Sequence, residues 1–127
     1  MRFLWVCFGG FLGTGARYAL NGWIAQRYGE TFPVGTLAVN VLGSFAIGVI
    51  YAATGPDSRW VVSPDVRQFL MIGILGGFTT FSSFSLQTLA LLREGEVGAA
   101  VANVVLSVVL CLLAAWAGEE LVRAVRW

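Results

Sequence analysis

The residues of this chain that could do chemistry inside its apolar runs are all neutral. Thr36, Asn40, Gly43 and Ser44 fall at i, i+4, i+7 and i+8, one stripe of a helix. Asn103, Ser107 and Cys111 repeat the pattern at intervals of four. Phe81, Phe84, Ser85 and Thr88 follow at i, i+3, i+4 and i+7, so on a helix two rings and two hydroxyls share a face. Amide NH₂ groups, hydroxyls and ring edges, the positive part of the aromatic quadrupole, are donors that suit a small, hard anion. A carboxamide in hydrocarbon must find partners or line water, because an unsatisfied polar group there costs several kcal/mol. Asn40 therefore serves either as an interhelical hydrogen bond, worth about 0.6 kcal/mol in membrane cases, or as the lining of a pathway. Its position alone leaves both readings open. For the two rings, spacing alone favours ordinary apolar packing.

Other chemistries lack their groups. The chain has no histidine, which removes the commonest general base and metal ligand. Its carboxylates, Glu30, Asp57, Asp65, Glu94, Glu96, Glu119 and Glu120, all stand outside the apolar runs. The chain is accordingly read as no enzyme, and proton-coupled transport lacks its usual buried carboxylate, lysine or histidine. A net charge of +1, with no zinc-finger spacing and no phosphate loop, gives nucleic acid nothing to bind. Cys7 and Cys111 lie within apolar segments and are read as free, structural thiols.

The stretch GGFTTFSSFS, residues 76–85, places two glycines and two β-branched threonines in the middle of an uncharged run. Glycine is about 1 kcal/mol worse than alanine inside a helix, so an interruption is expected near Gly76 to Thr80. Interruption frees backbone carbonyls, and such carbonyls at membrane depth can hold a small cation such as Na⁺. Two subunits meeting there on a two-fold axis would supply four oxygens. The competing reading is a glycine patch for tight packing, with the threonines hydrogen-bonded back to their own helix.

The elements that must position these residues are membrane helices. A composition of 57% hydrophobic and 12% charged residues lies far from that of a soluble fold. A bilayer core of about 30 Å takes roughly 20 apolar residues per helix. Four spans are expected, at about 3–25, 34–54, 67–92 and 97–120, in a single domain covering 1–127. The first is glycine-rich and must run through Arg17, and it is read as a retained span and not as a signal peptide. The links between spans are short. Arg2, Arg59, Arg67, Arg123 and Arg126 fall on the side of the termini and Arg17, Arg27 and Arg93 on the other. Five against three is a weak orientation signal, which permits insertion both ways round and an antiparallel two-fold dimer. Gly9 with Gly13, and Gly73 with Gly77, have the spacing that lets helices approach closely, within a subunit or between subunits.

With these residues in view, the chain resembles the Fluc (CrcB) fluoride channels over essentially its whole length. GGFLGTGARY (9–18) looks like the family's first-helix signature, GTLAVNVLGSFAIG (35–48) like its second, and GGFTTFSSFS like its broken third helix. The resemblance implies an antiparallel, dual-topology homodimer in the prokaryotic inner (plasma) membrane, with two pores that pass fluoride down its gradient. It further implies that Phe81 and Phe84 face the pore, that Asn40 is the pore asparagine, and that the Gly76 and Thr79 carbonyls hold a central Na⁺. Ser82 and Ser83 would supply hydroxyls near the pore and Ser107 a polar step on the fourth helix. Arg17 matches the arginine of GARY and is read as a structural anchor at the membrane interface beside Tyr18 and Trp23. The chain departs from the family pattern at Gln87, where many members carry glutamate, and at Asn103, near a common tyrosine. Two alternatives remain: a small dual-topology drug or cation exporter, which needs a membrane carboxylate this chain lacks, and a non-transporting membrane scaffold.

Overall fold

The computed structural model describes residues 1–58 and 60–125; Arg59 and Arg126, two of the five arginines counted on the terminal side, lie outside them. Every regular element among the described residues is helical. Helix α1 spans Arg2–Tyr28, α2 Val34–Ala53, α3 Pro64–Gln68, a π-helical segment Phe69–Leu75, α4 Gly76–Phe78, α5 Phe81–Arg93 and α6 Val97–Val125. The chain thus forms four rods, the third assembled from α3, the π segment, α4 and α5. Three rods, Val34–Ala53, Pro64–Arg93 and Val97–Val125, are long and apolar enough to cross a membrane. Helix α1 has 27 residues, ample length, but its glycines and Arg17 make it less apolar. The rods outrun the expected spans at several ends, because polar residues such as Arg27 and Arg123 continue a helix once it leaves hydrocarbon.

Local chemistry sets the boundaries. Gly29 ends α1 at φ 76°, in the left-handed region that favours glycine, and its N–H donates to Ala25 O at 2.9 Å. Gly95, at φ 79°, follows the end of α5 in the same region. Ser63 caps α3, its Oγ accepting from Val66 N–H at 3.3 Å, with Pro64 in the first turn.

Packing joins the rods through small residues within one chain. A Cβ added at Gly9 would lie 2.9 Å from Gly73 Cα, and one added at Gly77 would lie 2.7 Å from Gly10 O. The two glycine pairs expected to pack helices therefore pack against each other, bringing α1 backbone to backbone against the π segment and α4. Helices α2 and α6 meet in the same way, with Gly48 on the Ala115 backbone and Gly118 on the Phe45 carbonyl. The small interior holds Val39, Leu75, Phe84, Leu91 and Ala100 together with the polar side chains of Thr36, Asn103 and Ser107. Large apolar side chains such as Phe11, Ile72 and Leu112 face outward, the inverse of a water-soluble surface. The chain is a multi-pass helical membrane protein.

Candidate functional site

The interruption of the third rod is narrower than the glycines alone imply. Gly76, Gly77 and Phe78 stay helical, and only Thr79 (φ −80°, ψ 157°) and Thr80 (φ −151°, ψ 110°) are extended. The glycines serve the approach to α1, and the break is made by hydrogen bonds that draw the threonine backbone away. Thr79 N–H still closes onto Leu75 O at 3.0 Å, and Thr79 Oγ1 donates to the same carbonyl at 3.0 Å. Thr80 then leaves the helix. Its N–H donates to Asn40 Oδ1 at 2.8 Å, and its carbonyl accepts from Asn40 Nδ2 at 3.1 Å. One side chain on α2 thus pairs with one peptide of the third rod as a neighbouring strand would. The helix resumes under a new cap, with Thr80 Oγ1 accepting from Ser83 N–H at 3.2 Å.

The freed groups follow from this pattern. In an unbroken helix Gly76 O would receive Thr80 N–H and Thr79 O would receive Ser83 N–H. Both donors are instead spent elsewhere, on Asn40 Oδ1 and Thr80 Oγ1. The two carbonyls expected from sequence to hold a cation thus lose their helical donors, as those of Gly77 and Phe78 do at the same break, and hard backbone oxygens are the right chemistry for a hard cation. Two oxygens are few for such an ion, so a site here needs oxygens from another source.

Arg17 acts on the same break. Its Nε donates to Gly77 O at 3.1 Å, and Thr14 Oγ1 lies 3.4 Å from that oxygen. The arginine expected to serve as a structural anchor thus reaches the C-terminal end of α4, where a cation complements the exposed carbonyls of a helix end.

Beside the break lies a cavity of about 450 Å³, lined by Asn40, Gly76, Thr79, Phe81, Phe84 and Ser107 among others. The fold therefore gathers six of the residues singled out by sequence from four separate segments. Ser44 and Cys111, from the two polar stripes, also border it, and among the described residues no charged side chain does. Phe81 is largely exposed and Phe84 buried, with ring centroids 5.2 Å apart and planes at 49°. Phe81 thus projects outward from the edge of the cavity while Phe84 forms its floor.

Three expectations resolve differently. Ser82 and Ser83 do not line this cavity: Ser82 is exposed, and Ser83 borders a separate space of about 120 Å³ with Arg17 and Asn21. The hydroxyls of Ser85 and Thr88 do not point along with the rings, because each donates to its own helix, Ser85 to Phe81 O at 2.9 Å and Thr88 to Phe84 O at 2.8 Å. Asn103 is only 2% exposed and belongs to a chain of bonds behind the cavity. Ser107 Oγ meets Asn103 Oδ1 at 3.4 Å, and Asn103 Nδ2 donates to Thr88 Oγ1 at 2.9 Å. Sequence reasoning missed the lining residues Met71 and Leu75, since nothing in an apolar run distinguishes a wall residue from a lipid-facing one.

Known proteins share this sequence. A family model described as CrcB-like protein, Camphor Resistance (CrcB), matches residues 4–119. A protein of Opitutus terrae named "Fluoride-specific ion channel FluC" is 59% identical over 117 residues, covering 92% of this chain and 89% of its own. Proteins of the same name from Methylocella silvestris and Rhodospirillum rubrum are 50% and 54% identical, over 98% and 94% of this chain and 95% and 92% of their own. Matched along nearly its full length at such identities, the chain belongs to the CrcB family.

Proposed function

We propose that this protein is a passive, fluoride-selective channel of the prokaryotic plasma membrane. The observation that carries the reading is the cavity at the broken helix. Asn40, Ser107, Phe81 and Phe84 border it, and charged side chains among the described residues do not. Its relatives are named fluoride-specific channels. Fluoride is small and strongly hydrated, so a path through which it passes must replace water with hard donors. The second Asn40 N–H and the ring edges are such donors, and a narrow path built from them disfavours the larger chloride. With no carboxylate, lysine or histidine among the described residues bordering the cavity, movement needs no proton partner and runs down the electrochemical gradient. A drug or cation exporter would need a carboxylate in this position.

Two copies in antiparallel orientation complete the assembly in this reading, with two pores and a shared Na⁺ at the two-fold axis. The Gly76 and Thr79 carbonyls of each copy would hold the ion, which supplies fixed positive charge and ties the two breaks together. The donor pattern at Thr80 and Ser83 supports the assignment, because it leaves those two oxygens without their helical partners.

Fluoride efflux from liposomes carrying the purified protein in Na⁺ buffer, beside a matched chloride assay, tests the proposal. Fast fluoride release with negligible chloride release is the expected result. Folded dimer that releases no fluoride overturns it and leaves a packing element at residues 76–85.

A further inference from the structure

The charge nearest to continuing the cavity wall is Arg67. On α2 the lining residues Asn40, Ser44 and Ile47 lead to Tyr51, four residues beyond Ile47; on the third rod, Leu75 and Met71 lead back to Arg67, four residues before Met71. Tyr51 thus extends the α2 wall by about 6 Å, one helical turn, and Arg67, reached back through the π segment, extends the other wall by about a turn. They meet there: the Arg67 guanidinium carbon lies 5.3 Å from the centre of the Tyr51 ring.

Among the described residues that arginine has no anionic partner. Asp65, two residues away, is bound by Arg2, and the remaining ion pairs among the described residues join Arg123 to Glu119 and Glu120. Arg67 Nε is buried from solvent and has no hydrogen-bond partner. A guanidinium over a ring, with an N–H unspent, is a fixed positive charge with donor capacity to offer. Arg17, by contrast, spends its Nε–H on Gly77 O.

We propose that Arg67, positioned by Tyr51, gathers small inorganic anions at this mouth of the cavity and passes them to the neutral donors inside. The proposal rests on the fluoride-channel reading. It separates two tasks that a single charged residue in the cavity would combine: attraction outside, where a charge raises local anion concentration, and passage inside, where a charge would trap the ion. Tyr51 keeps the guanidinium over the mouth without neutralising it.

The test compares Arg67→Gln and Arg67→Lys with the unaltered protein by fluoride efflux, normalised to folded protein, at ionic strengths of about 0.01 M and about 1 M, where the Debye length is about 30 Å and about 3 Å. Arg67→Gln is expected to slow efflux about tenfold at low ionic strength, the lower range for focused charge. The deficit should disappear at high ionic strength, and Arg67→Lys should restore most of the rate. Unchanged efflux from Arg67→Gln at low ionic strength overturns the proposal. So does an equal loss at both ionic strengths without rescue by lysine, which assigns Arg67 to packing. A lipid headgroup phosphate offers the same chemistry as a free anion; were it the ligand, Arg67→Gln would lower the yield of folded protein in lipid but leave efflux per folded protein unchanged, which also overturns the proposal. An unaltered protein that conducts no fluoride sinks the channel reading and this proposal together, before any variant is compared.

Discussion

The carboxamide of Asn40 holds both the N–H and the C=O of Thr80, at 2.8 and 3.1 Å. This pairing turns a glycine-rich stretch into a true break, since without it Thr80 N–H would return to Gly76 O and the rod could close. It also settles what Asn40 does: one N–H and its oxygen serve the break, and the other N–H remains for the cavity.

Asn40→Ala should orphan both groups of the Thr80 peptide, and buried groups left unpaired cost about 1–3 kcal/mol each. Thermal unfolding of the purified protein should move down by several degrees, and fluoride efflux should be lost. Asn40→Leu should behave no better despite its equal bulk, because the pairing and not the volume is missing. Wild-type unfolding temperatures in both variants would contradict the assignment.

The two rings should separate by exposure. Phe84 is 9% exposed and Phe81 77% exposed. Phe84→Ala removes core volume and should cost about 3–5 kcal/mol, whereas Phe81→Ala should leave stability nearly unchanged. Phe81→Ile should still slow efflux about tenfold, the equivalent of 1.4 kcal/mol of barrier from a lost ring-edge contact. Full flux from both Phe81→Ile and Phe84→Ile would remove the rings from the pathway.

Sodium dependence should follow the backbone. Replacing Na⁺ by a large organic cation should lower both the unfolding temperature and the efflux rate, since a ligand that binds only the folded assembly stabilises it by mass action. Thr79→Ser keeps the carbonyl and the hydroxyl bonded to Leu75 O, so it should keep the response. A protein equally stable and equally conductive in either buffer would count against a cation at Gly76 and Thr79.

Glycine substitutions should divide by what a Cβ meets. At Gly13 it would strike the Ile74 carbonyl and the Phe78 amide, which are backbone and cannot move aside, so Gly13→Ala should fail to give folded protein. At Gly98 a Cβ meets open space, and Gly98→Ala should be neutral or stabilising by up to about 1 kcal/mol. Expression and gel-filtration profiles of the pair provide the check.

Much of this protein is written in its sequence. The charge-free runs set the number of rods, because hydrocarbon admits only long apolar helices, and the glycine pairs at Gly9, Gly13, Gly73 and Gly77 marked where backbones would touch. The polar faces that carry Asn40 and Ser107 were legible as well, since polar residues in an apolar run need a reason to be there, whereas Phe81 and Phe84 by spacing alone read as packing. The sequence could not say which partner each polar group takes. That Asn40 pairs with Thr80, that Arg17 donates to Gly77 O, and that Arg67 lies over the Tyr51 ring are all contacts between residues distant in the chain. Periodicity fixes the face on which a residue stands, but hydrogen-bond partners are decided by which faces meet, and only the packed rods determine that.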